Sequence, residues 1–340
     1  MRGYLGIDVG SVSTNLVLLS EDLQVLGKVY RRTQGDPIRA VQRGLEELLE
    51  ALGDGEEPDV LGVGATGSAR KLTGVVAGAD VVKNEITAHA VAALHVVPEA
   101  RTVLEIGGQD SKLILLREGV VTDFAMNTVC AAGTGSFLDH QATRLGIPIE
   151  EFGDYALRSE RGARIAGRCG VFAESDMIHK QQVGYRTEDI VFGLCESLVR
   201  NYLNNLAKGK NVEPPVVFQG GVAANRGMIR AFGEALGCEV AVPEFHDVMG
   251  AVGSALLAEE HARGLERRGM PATTSFKGFE ASAIEYSTSS FHCKGCANNC
   301  EIVQVKAHGE VLARWGGRCG KWETEGEAAT YGPEPVLAME

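Results

Sequence analysis

No stretch of the 340-residue sequence approaches the roughly 18–20 consecutive apolar residues of a membrane span. The N-terminal MRGYLGIDVG also lacks the long apolar run of a secretory signal, so a cytoplasmic chain with no membrane association is expected. There is no Lys/Arg run long enough to build a basic face. With 33 Lys+Arg against 45 Asp+Glu and a net charge of −12, nucleic acid and anionic membrane surfaces are excluded as general partners. The P-loop pattern G-x-x-x-x-G-K-[ST] is absent too; GATGSARK (64–71) resembles it only superficially and reads as a turn and a helix start. Glycine, by contrast, is abundant: 43 residues, nearly twice the usual share of about 7%. These glycines cluster at turns, so many tight loops are expected. Eight cysteines in a reducing compartment point to ligands, catalytic groups or core fillers, not to disulfides.

The length allows two lobes with their own cores plus an appendage. YLGIDVGSVSTNLVLLS reads as strand, Gly/Ser turn and strand, and VLEIGGQDSKLILLREG near residue 103 repeats the pattern. Each copy has an acid at the strand end, Asp8 or Glu105. A duplicated hairpin unit predicts two related lobes facing each other, 1–100 and 101–264, in an α/β fold. Residues 37–52, 83–95 and 187–209 have helical apolar spacing. PPVVFQGGVAANRGMIRAFGEAL reads as a buried strand, a double-glycine turn and a helix. VMGAVGSALLAEEHARG reads as a small-residue helix that closes the second lobe or packs back on the first. Residues 265–290 are polar and unperiodic, a linker into a cysteine-rich tail (291–340) whose last residues read as extended or frayed.

Two acid-bearing glycine hairpins suit a polyphosphate: their backbone N–H groups clasp it while Asp8 and Glu105 orient Mg²⁺ or its waters. Gly10, Ser11, Ser13 and Thr14 belong to the first loop, and Gly107, Gly108 and Lys112 to the second. Gln109 and Asp110 sit where an attacking water would be oriented. In QGGVAAN, Gly220, Gly221 and Asn225 offer a surface for a flat nucleoside. GIDVGSVST, EIGGQDSK, QGGVAAN and the connecting MGAVGSAL together resemble the actin, sugar-kinase and heat-shock-chaperone ATPase superfamily. That resemblance implies two RNase-H-like lobes with an ATP cleft between them.

Cys130 in NTVCAAGTGSF and Cys169 in RCGVFAES share a setting, a small-residue turn before an amphipathic helix. A helix N-terminus lowers a thiol's pKa and favours an anionic ligand; the alternative is a pair of buried thiols acting as small hydrophobes. Two thiolates do not complete a tetrahedral or cubane site, but a two-fold dimer supplies four. These motifs, with EIGGQDSK and QGGVAAN, resemble the BadF/BadG/BcrA/BcrD ATPase family, the activators of 2-hydroxyacyl-CoA dehydratases and the ATP-binding subunits of benzoyl-CoA reductase. The resemblance covers about residues 3–262. It implies that Cys130 and Cys169 of two protomers hold one 4Fe–4S cluster on the dimer axis. By the same resemblance, ATP hydrolysis drives a low-potential electron into a partner iron–sulfur enzyme, the donor being a protein such as ferredoxin or flavodoxin.

Cys195 and Cys238 read as core residues, and Glu174 and His179 as helix-surface residues. The tail carries C-x2-C-x3-C-x18-C, with Cys293, Cys296, Cys300 and Cys319, around a hairpin at His308-Gly309. Four cysteines in a segment too small for a hydrophobic core point to a second metal, either Zn²⁺ or a 4Fe–4S cluster. Short members of the family end before this tail, so it is a departure from them. Two other functions stay open on the residues alone. One is a small-molecule kinase of the same superfamily with a structural zinc tail; the other is an ATP- and metal-sensing regulator, which would need a basic DNA-binding face the sequence lacks.

Overall fold

Near-continuous apolar runs make strands that are buried on both faces, and the first of them sets the pattern for the whole chain. The computed structural model describes residues 1–53, 57–127 and 130–322. Two units emerge: residues 1–91 with those from Gly250 onward, and Ala92–Met249.

In the first unit, β1 (Arg2–Val9), β2 (Ser13–Ser20) and β3 (Val25–Arg32) form an antiparallel meander. β4 (Asp59–Thr66) and β5 (Val81–Val82) add to it in parallel, in the order β3-β2-β1-β4-β5. α1 (Pro37–Leu52) starts at Asp36, whose carboxylate accepts from Arg39 N at 3.0 Å, with Pro37 in the first turn. It buries Val41, Leu45 and Leu48 at one-turn spacing against the sheet. α2 (Arg70–Ala77) and α3 (Glu85–Val96) follow, and α3 carries the chain into the second unit. The chain returns in α9 (Met249–Arg267), which packs on β1 and β4 through small residues. A Cβ on Gly6 would lie 1.9 Å from Ala251 O, and one on Gly64 would lie 2.0 Å from Ser254 O. The glycines are therefore what admit the helix backbone to the sheet.

The second unit repeats this connectivity. β6 (Thr102–Ile106), β7 (Ser111–Arg117) and β8 (Val120–Asn127) form the meander. β9 (Val216–Gln219) and β10 (Val240–Ala241) complete the order β10-β9-β6-β7-β8. α4 (Gly135–Leu145), α5 (Ile149–Leu157), α6 (Gly170–Gln182), α7 (Thr187–Leu206) and α8 (Arg226–Leu236) enclose a core of Phe152, Phe192, Tyr202, Phe218 and Phe232. Cys195 is fully buried in that core, and Cys238 packs at its edge just ahead of β10.

The stretch 265–290, which reads as a linker in sequence, differs. Residues 274–286 dock along the first unit: Asp80 accepts from Thr274 Oγ1 (2.7 Å) and Ser275 N (2.6 Å). Lys277 N donates to Ala77 O at 3.0 Å, and Gln42 Nε2 donates to Ile284 O at 2.7 Å. Phe279 and Ala281 enter the core, with Phe276 and Ile284 packed beside them. Their irregular spacing fills the ground beside α1 and α2 and gives no period for a sequence to display.

β11 (Tyr286–His292), β12 (Glu301–Ala307) and β13 (Glu310–Trp315) form an antiparallel tail sheet. The β12–β13 turn is His308-Gly309, both in the left-handed region at φ 51° and 83°, as a type I′ hairpin requires. The end expected to fray, 323–340, lies outside the described residues. Among the described residues, no helix is long and apolar enough to cross a membrane.

Candidate functional site

The two sheets carry the candidate phosphate loops at equivalent places. Asp8 ends β1, with Asn15 opposite on β2 and Thr66 beside it on β4. Glu105 ends β6, with Lys112 opposite on β7 and Gln219 beside it on β9. The turns close with the same hydrogen bond: Gly10 N to Ser13 O at 2.8 Å, and Gly107 N to Asp110 O at 3.0 Å.

In the first loop, Ser11 is exposed and Ser13 half-buried. Thr14 is fully buried, its hydroxyl 3.0 Å from that of Thr33, which in turn donates to Gly10 O at 2.9 Å. Thr14 thus braces the turn from behind instead of offering its hydroxyl at the surface. A Cβ on Gly250 would lie 2.1 Å from Asp8 Oδ2, so the missing side chain seats the carboxylate at the first turn of α9, where the helix dipole favours negative charge.

In the second loop, Lys112 Nζ donates to Glu105 Oε2 at 2.9 Å and to Asp110 Oδ2 at 3.0 Å. The Lys112 and Glu105 side chains are each only 5% exposed, while Asp110 is 37% exposed. Burial works against the ammonium. The charges of Glu105 and Asp110 and their hydrogen bonds more than offset it and raise the Lys112 pKa above its ordinary value. Glu105, expected to orient Mg²⁺ alongside Asp8, is therefore tied into a buried ion pair. Asp8 has an asparagine, not a lysine, at the matching register. Gln109 sits exposed at the turn apex beside Asp110.

The QGG turn follows β9. Gly220 has φ 92° and exchanges hydrogen bonds with His246, donating to its carbonyl at 2.8 Å. Gly221 is exposed next to it. Asn225 Oδ1 caps α8, accepting from Met228 N at 3.2 Å, while its Nδ2 is buried with no hydrogen-bond partner. An orphaned donor beside a backbone turn with no side chains suits the polar edge of a nucleobase.

Cys130 and Cys169 each precede a helical start with extended backbone, and neither side chain caps it. Both thiols are half-buried. Asn127 fixes Cys130 from both sides, accepting from its N (2.9 Å) and donating to its carbonyl (2.8 Å). Asn201, from mid-α7, donates to Gly167 O at 2.7 Å, with its Nδ2 4.0 Å from Cys130 Sγ. One side chain thus touches both cysteine loops. A Cβ on Gly170 would lie 3.8 Å from that of Ala132, so the start of α6 lies beside the Cys130 turn. Beyond Cys130, Gly135 N and Ser136 N donate to Gly107 O and Gly108 O, each at 2.9 Å. The thiol segment is clamped to the phosphate turn. Asn127, Asn201, Thr33, Thr66, Gly67 and Gly250 were not legible as site residues; only the repeat of strand plus glycine in VGATGS and VFQGG hinted at Gly67.

Residues 5–258 match the BadF/BadG/BcrA/BcrD ATPase family. The chain belongs to that family. It is 34% identical over 260 residues to the 2-hydroxyisocaproyl-CoA dehydratase activator of Clostridioides difficile, covering 76% of this chain and 96% of that protein. It is 35% identical over 259 residues to the (R)-2-hydroxyglutaryl-CoA dehydratase activating ATPase of Acidaminococcus fermentans, covering 76% and 97%. The solved structure of the C. difficile activator with bound ADPNP is similar at a TM-score of 0.72 and 32% identity, covering 78% of this chain and 97% of that one. As an ATPase of this family, the chain uses its two loops and the QGG turn within the matched residues. The strap at 274–286 and the tail lie beyond them.

Two thiolates per copy are half of a four-ligand set, and their donor chemistry fits a 4Fe–4S cluster only if a second copy supplies the rest. Among the described residues, no three His, Cys, Asp or Glu side chains gather as a metal site, the tail included. Cys296 and Cys319 are exposed, and Cys293 and Cys300 half-buried. Glu174 stays on the helix surface, paired with Arg144 at 2.8 Å.

Proposed function

We propose that this ATPase is a homodimeric activator. It couples ATP hydrolysis to delivery of a low-potential electron to an iron–sulfur enzyme of the 2-hydroxyacyl-CoA dehydratase or benzoyl-CoA reductase type. Cys130 and Cys169 of two copies would hold one 4Fe–4S cluster, which supplies one-electron transfer when bound, and an external donor such as ferredoxin or flavodoxin would reload it. The reading includes a second metal at the tail cysteines. The observation that carries the activator reading is the clamp of Gly135 and Ser136 on Gly107 and Gly108. It makes the loop that would meet the terminal phosphate and the segment bearing Cys130 one continuous piece.

Asp8 and Asp110 orient Mg²⁺ and its waters, Gln109 and Asp110 orient the attacking water, and Lys112 holds Glu105 and Asp110 in place. Ser11, Ser13 and the backbone of both turns contact the phosphates; Gly220, Gly221 and Asn225 face the adenosine. Loss of the terminal phosphate releases the Gly107–Asp110 turn, and the clamp passes that change to Cys130 and, through Asn201, to the Cys169 loop. Helix N-termini stabilise an anionic, reduced group by about 0.3–1 kcal/mol each. Moving them away would make the cluster a stronger reductant. A small-molecule kinase would have no use for this clamp.

The test is an iron and acid-labile sulfide count on protein purified without oxygen, for the wild type, Cys130→Ser and Cys169→Ser. About four irons per dimer, lost in either variant, is the expected result. An iron-free wild-type dimer with full ATPase activity would overturn the reading.

A further inference from the structure

Strand register brings the tail cysteines to one end of the tail sheet. His292 faces Glu301 across β11 and β12, so Cys293 leaves one strand where Cys300 enters the other, and Cys293 N donates to Cys300 O at 2.8 Å. β13 runs back to the same end, with Trp315 opposite Val303. A Cβ on Gly316 would lie 2.3 Å from Glu301 O, so the chain leading to Cys319 emerges against the start of β12. Trp322 meets Phe291 edge-on with centroids 5.0 Å apart, and Lys321 Nζ comes within 3.6 Å of a Cβ placed on Gly295. The Cys293–Cys300 loop and the segment around Cys319 are thus packed together, although 18 residues separate Cys300 from Cys319 in sequence. Within the first loop, Gly295 N donates to Cys293 Sγ at 3.4 Å, the kind of support that backbone gives a thiolate ligand.

We propose that Cys293, Cys296, Cys300 and Cys319 bind a single zinc ion and that the tail completes its fold on that ion. The proposal rests on the part of the functional reading that places a metal in the tail, and it decides between zinc and a second cluster. It does not depend on the Cys130–Cys169 site. A tetrahedral zinc with bonds of about 2.3 Å sets its sulfurs about 3.8 Å apart. Residues paired across an antiparallel ladder have Cβ atoms about 4.5–5.5 Å apart, so Cys293 and Cys300 suit two ligands on one ion. A cubane takes each thiolate on a different iron and spreads them wider.

The tail's own core is small. Ile302, Val305 and Ala307 are its buried apolar side chains among the described residues, too few to order a module of this length by burial. Four thiolates on Zn²⁺ leave a charge of −2, and Lys294, Arg318 and Lys321 lie in the same loops to offset it. Closing the four thiols into one shell draws on the free energy of metal binding, which in small metal-folded modules is also the free energy of folding.

The test uses the full chain purified without oxygen, with zinc and iron counted in the wild type, Cys319→Ser and Cys130→Ser. About one zinc per chain, lost in Cys319→Ser and kept in Cys130→Ser, is expected, with iron unchanged in Cys319→Ser. The wild type stripped with a chelator and reloaded with Co²⁺ alone should show thiolate-to-cobalt charge transfer and intense tetrahedral d–d bands. Limited proteolysis of the stripped chain should open new cuts after residue 286. Iron lost in Cys319→Ser would make the tail a cluster site and overturn the zinc assignment. A weak octahedral cobalt spectrum from the wild type would overturn the site altogether, whatever the variants do. Iron lost in Cys130→Ser, or its absence from the wild type, bears only on the shared cluster.

Discussion

Gly67 and Gly220 stand at the same place in the two sheets. Each follows the fourth strand of its unit with φ near +90° (89° and 92°). A Cβ on either would lie 2.4 Å from a carbonyl oxygen of the neighbouring first strand, Val9 O for Gly67 and Ile106 O for Gly220. The same Cβ would crowd the acid at that strand's end, Asp8 Oδ1 at 2.5 Å and Glu105 Oε1 at 2.9 Å. The duplication therefore extends past the hairpins to the turn that backs each acid.

Gly220→Ala should cost about 1–3 kcal/mol of stability from left-handed backbone alone, and more from the clash with Ile106 O. Because that clash pushes on Glu105 and on the turn that would face the nucleoside, affinity for a non-hydrolysable ATP analogue should fall with it. Calorimetric titration of the analogue and thermal unfolding of the same sample check both. Wild-type affinity in a destabilised Gly220→Ala would show that the turn serves the fold and not the nucleotide.

Lys112→Met strands Glu105 in a buried site, where removing one partner of an ion pair costs about 3–5 kcal/mol. The double variant Lys112→Met with Glu105→Gln removes the uncompensated charge and should recover most of that loss. Urea unfolding of wild type, single and double variants measures the difference. A single variant as stable as the double would show that the pair is not needed to hold Glu105 in place.

Cys195 is buried mid-helix, and its thiol is pushed up from 9.0 to about 12, first by burial and then by the charge of Glu196. The folded state keeps this proton above pH 9, while the unfolded chain releases it. The native state then binds more protons, and stability should fall as pH rises from about 9 toward about 12. Iodoacetamide at about pH 8.5, followed by mass spectrometry, should leave Cys195 unmodified in the native chain and alkylate it in urea. Equal labelling in both states would contradict the assignment of Cys195 to the core.

Local pattern carried much of the fold. Apolar runs around GIDVG and EIGGQ marked both hairpins, one-turn spacing marked α1 and α7, and Cys195 read correctly as core. The strap at 274–286 was illegible because Phe276, Phe279 and Ile284 bury in a space defined by α1 and α2, not by their own spacing. Glu105 read as a metal-orienting acid because sequence shows a carboxylate at a strand end but not what faces it. The Lys112 partnership exists only across a β-ladder. Thr14 likewise looked like a phosphate donor until Thr33, nineteen residues on, was found holding its hydroxyl.

The sequence by itself determined the strands, the glycine turns, the repeat and the residues at the head of each helix, because backbone sterics and apolar periodicity act over a few neighbours. Only the tertiary structure decided which charges are paired. It alone showed that Asn201 touches both cysteine loops, that Gly135 and Ser136 lock the Cys130 segment to Gly107 and Gly108, and that 274–286 belongs to a core. These are contacts between residues tens to hundreds of positions apart, fixed by strand register and helix packing, and no local pattern encodes them.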